Sequence, residues 1–178
     1  MIEKSRSRLI NALSNGSVDI AIVIGVAPLP ECVTVSLWTE RIIVAVLETH
    51  PLASREAVYW TDLKDERLLL SRRDPGPELQ ELIFGKLASS GDRPKIQLHD
   101  VSRGSLWNLV GAGFGITLLT EATVGTNFVG VVYKELRDTT EPTRISYSAH
   151  WRLDNENPAL KGFLNLLGER YPLSVKGI

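Results

Sequence analysis

Along this chain, apolar β-branched runs alternate with stretches that carry apolar residues at helical spacing. That alternation constrains the fold more than any other feature. Residues 18–25 (VDIAIVIG) form a run expected of a strand covered on both faces. Before it, residues 3–13 read as a helix with Leu9, Ile10 and Leu13 on one face. Asn15-Gly16 ends that helix, because glycine tolerates the left-handed cap conformation. Further strands are expected at 33–37, 41–47, 67–71, 95–99, 116–119, 129–133 and 145–151. Further helices are expected at 77–89 and 102–113, with a short helical turn within 59–65. A last helix follows Asn157, a good N-cap, with Pro158 at its first position and Leu160, Phe163, Leu164 and Leu167 inward. Strand–helix alternation of this kind predicts an α/β fold with parallel, doubly wound sheets. Such sheets bind ligands at the carboxyl ends of their strands.

Composition narrows the function classes. The 178 residues suit one domain or two small lobes. A hydrophobic content of 43% supplies enough apolar surface to offset the entropy of ordering. Twenty Lys and Arg against twenty-one Asp and Glu leave a net charge of −1, so the chain alone carries no field for nucleic acid. Cys32 is the single cysteine, which excludes an internal disulfide and points to a cytoplasmic setting. No run of ~18 apolar residues is present to span a membrane. Residues 1–16 lack the apolar centre of a signal peptide, so export is not expected.

Several familiar chemistries find no support. Gly111-Ala112-Gly113-Phe114-Gly115 is glycine-dense, but it follows a helix and precedes a strand. A dinucleotide fingerprint needs the reverse order, so the cluster reads as a helix stop and tight turn. His50, His99 and His150 share no metal-ligand spacing, and His50, beside Pro51, reads as solvated. Neither a Gly-x-Ser-x-Gly elbow nor a Walker loop occurs. No cofactor is expected.

The segment Ser71-Arg72-Arg73-Asp74-Pro75-Gly76-Pro77 is more informative. Two arginines follow a buried-looking strand and precede a helix N-terminus, whose free N–H groups and dipole favour an anion. Arginine adds a planar fork suited to a carboxylate or phosphate. The alternative is that Arg72 or Arg73 pairs with Asp74 or Glu78 on the surface. Val101-Ser102-Arg103-Gly104 repeats the geometry, and Ser102 either caps the following helix or meets a ligand. Thr120 ends a strand at another carboxyl edge. Trp38, Trp60, Trp107 and Trp151 are scattered and read as core or rim packing.

Taken in order, five segments resemble the effector-binding domain of LysR-type transcriptional regulators. These are Leu13-x-x-Gly16-x-x-Asp19-Ile20-Ala21-Ile22, His50-Pro51-Leu52-Ala53, Asp62-Leu63 with Leu68-Leu69-Leu70, residues 110–119 (VGAGFGITLL), and Asn157-Pro158-Ala159-Leu160-x-x-Phe163-Leu164. The resemblance covers nearly the whole chain. It implies the fold of type II periplasmic binding proteins: two Rossmann-like lobes joined by two crossover strands, with a small-molecule effector between them. Lobe one would be residues 1–64 with 143–178, incomplete at its N-terminus, and lobe two residues 65–142. The resemblance brings Ser71, Arg72, Arg73, Ser102, Arg103 and Thr120 to the effector, with Arg6, flanked by Ser5 and Ser7, as a contact from lobe one. Thr120 stands where the family has proline. A small organic acid is the expected ligand. The family's winged helix-turn-helix has no counterpart here, so DNA would be reached only through such a domain, with no membrane involved. The family pairs its domains antiparallel, which implies a homodimer through the helices at 3–14 and 77–90. The alternative from another class is a free-standing solute-binding protein or a small enzyme on the same fold. An enzyme needs a nucleophile or acid–base pair, and none stands out.

Overall fold

A computed structural model describes residues 1–2, 4–73, 75–88, 93–124 and 128–171, with the backbone alone at Arg103. It divides into two compact units, Met1–Thr39 with Ser146–Ile178 and Glu40–Ile145. The chain passes from one to the other within a long strand, β2 (Cys32–Leu47), and returns within β9 (Arg144–Arg152).

The first unit begins with α1 (Arg6–Ser14). Gly16 adopts φ +72°, and the N–H groups of Gly16 and Ser17 turn back to the carbonyls of Leu13 and Ala12. The glycine cap expected from the sequence is therefore present. The Val18 N–H also goes to the Ala12 carbonyl, so this turn consumes the start of the expected strand and β1 is only Ala21–Ile24. β1 pairs antiparallel with β9, from Ala21 opposite His150 to Ile24 opposite Tyr147, and β9 neighbours β2. Leu13, Ala21 and Val23 form one buried cluster, and Val35, Ala149, Trp151 and Leu160 another.

The last helix, α4 (Pro158–Arg170), starts as expected, with the Asn157 side chain accepting from the Ala159 N–H at 3.0 Å. Its apolar face is only partly used. Leu160 is buried and Leu164 packs beside it, whereas Phe163, expected inward, is exposed.

In the second unit β2 pairs antiparallel with β6 (Thr117–Thr120) and with β7 (Val131–Asp138). β3 (Val58–Tyr59) lies parallel to β7, and β8 (Glu141–Pro142) antiparallel to it. β4 (Arg67–Ser71) and β5 (Lys95–His99) are parallel, and a parallel bridge joins Leu68 to Ile116 ahead of β6. α2 (Gly76–Leu87) and α3 (Arg103–Gly111) follow β4 and β5. Ser89, expected as the end of α2, lies outside the described residues.

Two expectations are corrected here. Residues 33–37 and 41–47 are one sixteen-residue strand, because the intervening Trp38, Thr39 and Glu40 include no glycine or proline to stop extension. The sheets are also mixed: alternation predicts parallel pairs, yet β1–β9, β2–β6 and β2–β7 are antiparallel. Alternation fixes the local element type, whereas the long strands that cross between units decide which neighbours run opposite.

Candidate functional site

The three adjoining strand segments β4, β5 and 116–120 of the second unit run the same way and end at Ser71, His99 and Thr120. Ser71 is buried at the last position of β4. Its hydroxyl donates to the Val101 carbonyl at 3.2 Å and accepts the Arg73 N–H at 3.0 Å. The Arg72 N–H donates to the His99 carbonyl at 2.9 Å, so the loop after β4 is tied to the end of β5. α2 starts directly over this strand end. A Cβ at Gly76 would lie 1.7 Å from the Ser71 carbonyl oxygen, an approach that only glycine permits.

The arginines point outward. Arg73 Nε lies 3.2 Å from Asp100 Oδ1, with both side chains 69% exposed, and Arg72 is exposed. Such a pair is solvent-screened and cheap to break. The partner anticipated from sequence was Asp74 or Glu78; the one found is Asp100, and Asp74 lies outside the described residues. Ser102 caps α3, accepting from the Ser105 N–H at 3.2 Å, with the Ser105 hydroxyl 3.0 Å away. The side chain of Arg103 lies outside the described residues.

Thr120 is buried, and its neighbourhood is stapled to β2. Glu121, the next residue, takes the Arg41 N–H at 3.0 Å and Arg41 Nε at 2.7 Å, while Arg41 Nη1 reaches Glu135 at 2.8 Å. The Arg41 guanidinium holds the Glu121 carboxyl below the usual carboxylate range. Thr117 donates to the Leu69 carbonyl at 2.6 Å, and Thr123 to the Thr120 carbonyl at 2.7 Å.

Ser71, Gly76, Leu79, Trp107 and Thr120 share a cavity of about 40 Å³, with Leu70, Leu106, Leu118 and Leu119 also in its wall. Trp107, read from sequence as packing, stands at this cavity. It stacks on Phe128 with ring centroids 4.7 Å apart, and its buried Nε1 has no hydrogen-bond partner among the described residues.

Arg6 belongs to the first unit, at the start of α1, with its Nη2 3.8 Å from the position a Gly25 Cβ would take. In the same unit His150 is buried. Its Nε2 lies 2.7 Å from Ser148 Oγ and its Nδ1 2.9 Å from Thr34 Oγ1. Burial, aided by the positive charge of Arg6, pushes the imidazole below its ordinary range. His50, expected to be solvated, is half-buried: its Nδ1 accepts from the Leu52 N–H at 3.2 Å and its Nε2 lies 3.3 Å from Glu66. The turn at Pro51 folds the ring back onto the chain. His99 Nε2 is buried without a partner among the described residues.

Comparison with known proteins accords with this architecture. The family model described as LysR substrate binding domain matches residues 1–172. The HTH-type transcriptional regulator AlsR of Bacillus subtilis (strain 168) is 26% identical over 171 residues, covering 92% of this chain and 54% of AlsR. The chain thus spans about half the length of that relative. A crystal structure of a full-length BenM mutant superposes with a TM-score of 0.80 at 23% identity, covering 99% of this chain and 59% of that one. The BenM effector binding domain with its effector benzoate gives 0.78 at 24% identity, covering 94% and 76%. These likenesses place the chain in the periplasmic-binding-protein-like α/β fold. With the family model spanning nearly every residue, the chain belongs to the LysR substrate-binding domain family.

Proposed function

We propose that this chain is the effector-sensing domain of a LysR-type transcriptional regulator of the cytoplasm. It takes up a small anionic metabolite and biases the DNA-binding state of the whole protein. No covalent bond is made or broken: an effector shifts an equilibrium only by its differential affinity for the two states. The observation that carries the reading is the convergence of Ser71 and Thr120 on one cavity at the carboxyl edge of β4 and β6, with the α2 N-terminus above it. Arg72 and Arg73 stand beside that edge and hold the effector's negative group. Ser102, at the start of α3, assists. The ion pair with Asp100 leaves Arg73 recruitable, because an exposed pair at 3.2 Å is worth at most about 1 kcal/mol. BenM, of the same fold, holds benzoate as its effector, a carboxylate. Two copies of the chain pair through α1 and α2, where Phe84 is an exposed apolar residue.

Titration calorimetry against a panel of organic acids tests this. One acid binds, and Arg73→Ala weakens it by roughly tenfold or more, the value of a hydrogen bond to a charged group. Unchanged affinity in Arg73→Ala removes the arginine from the site, and a panel without a binder removes the anionic effector.

A further inference from the structure

Strand alternation gives β3 and β7 one dry face and one wet face. Val58 and Leu136 lie opposite each other in the parallel pair and are fully buried. Tyr59 and Arg137, the next opposed pair, therefore point the other way, and Glu135 points with them. With Arg55 and Glu56 from the loop before β3, these side chains line a cleft of about 490 Å³, a size within the roughly 300–1,000 Å³ of small-molecule sites. Every residue lining it belongs to the second unit, and none borders the cavity at Ser71 and Thr120.

Both arginines of the cleft are held from behind. Asp62 takes the Tyr59 N–H at 2.9 Å and Arg55 Nη1 at 3.1 Å, so one carboxylate fixes both the strand and the guanidinium. Glu135 takes Arg137 Nε at 2.8 Å and is itself held by Arg41 at 2.8 Å. The other guanidinium nitrogens, Nε and Nη2 of Arg55 and both Nη of Arg137, make no hydrogen bond among the described residues, and neither does the Glu56 carboxylate. Glu56 is nonetheless close. Glu135 chiefly, and then the charges of Tyr59 and Glu56, hold the Arg137 guanidinium above its ordinary range.

The cleft thus offers both signs. Arg55 and Arg137 balance Glu56 and Glu135, so no net charge draws a simple anion. The unspent groups are two guanidinium forks and one carboxylate, beside the exposed Tyr59 ring. We propose that this cleft is a second ligand site, for an α-amino acid with an apolar or aromatic side chain. Its carboxylate lies on Arg55 and Arg137, its ammonium on Glu56, and its side chain covers Tyr59. A guanidinium fork matches a carboxylate, and an ammonium brings the donors that Glu56 lacks. A plain carboxylic acid would set its charge beside Glu56 and a plain amine beside two arginines, so neither matches every group.

The test uses the chain with ¹³C-labelled tyrosine rings. Its four tyrosines give four sets of ring signals, and Tyr59→Phe assigns one by deletion. L-phenylalanine or L-leucine should move the Tyr59 signal saturably. 3-Phenylpropanoate and phenethylamine, each lacking one charge, should bind about fivefold more weakly than L-phenylalanine. Glu56→Gln, at an exposed position, should weaken the amino acid about fivefold and leave 3-phenylpropanoate no weaker, whereas Arg55→Gln should weaken both. A Tyr59 signal unmoved by either amino acid overturns the proposal. So does an equal affinity for 3-phenylpropanoate, the mark of a plain anion site, or an unchanged affinity in Glu56→Gln. The response should persist in Arg73→Ala; its loss there would put the amino acid at the effector edge and overturn the second site, leaving the effector reading in place.

Discussion

His150 Nε2 sits 2.7 Å from the hydroxyl of Ser148, two residues earlier on β9, and the proton between them belongs to the imidazole. Ser148 Oγ donates its own hydrogen to the Gly25 carbonyl, which can only accept, so it takes the Nε2–H as acceptor. Nδ1 is then free to accept from Thr34 Oγ1. This chain of bonds fits a neutral ring, consistent with a pKa lowered by burial and by Arg6.

A pH dependence follows. The unfolded chain protonates His150 near the ordinary value of 6.5, the folded chain only below it. Between the two values the unfolded state binds more protons, so this stability is present above about 6.5 and is lost as pH falls toward the folded value. Urea midpoints at mildly acidic and neutral pH should separate more in the natural chain than in His150→Gln. An equal separation would show that the ring titrates normally. Ser148→Ala, which strands the Nε2–H, should cost about 1–3 kcal/mol.

Gly76 should be intolerant of any side chain. Its Cβ would enter the Ser71 carbonyl at 1.7 Å, and every atom it meets there is Ser71 backbone, so α2 must shift off β4. Gly76→Ala is expected to lose about 3 kcal/mol or more in denaturant unfolding. Gly85, on the same helix, meets nothing within 4 Å, so Gly85→Ala should raise stability by about 0.5–1 kcal/mol. Equal effects at the two positions would refute the close approach of α2 to Ser71.

Arg41 is expected to hold Thr120 in place through its neighbour. Arg41→Met removes two carboxylate contacts and leaves Glu121 without its guanidinium. Both groups are partly solvated, so the loss of stability should be small. Glu121 is depressed in the folded chain, so its contribution is present above the ordinary value of 4.5 and fades as pH falls through the lowered one. Acid unfolding curves of the natural chain and Arg41→Met should therefore converge at low pH; curves that remain parallel would assign the loss to packing instead.

Much of this molecule was legible in its residues. Asn157 and Pro158 mark the start of α4, and Gly16 marks the end of α1, because caps are local chemistry. The bounds of Lys95–His99 are legible to the residue, since Pro94 stands directly before it and the helix cap Ser102 follows soon after. The boundaries of the compact units were not legible, because they fall inside β2 and β9, where no linker composition marks them. Ser71 and Thr120 were singled out for standing at strand ends, a property of the chain itself. The packing reading of Trp107 holds, since it sits in the core with Ile43, Ala45 and Leu119; whether its N–H finds an acceptor is not visible in sequence.

The residues alone determined element types, caps and family, since these depend on neighbours a few positions apart and on ordered motifs. Tertiary structure decided strand direction, the Arg73–Asp100 and Arg41–Glu121 pairings, the burial of His150 and the Trp107 indole N–H left without a partner among the described residues. Each of these joins residues distant along the chain, and whether a polar atom is satisfied depends on what packing carries to within about 3 Å of it.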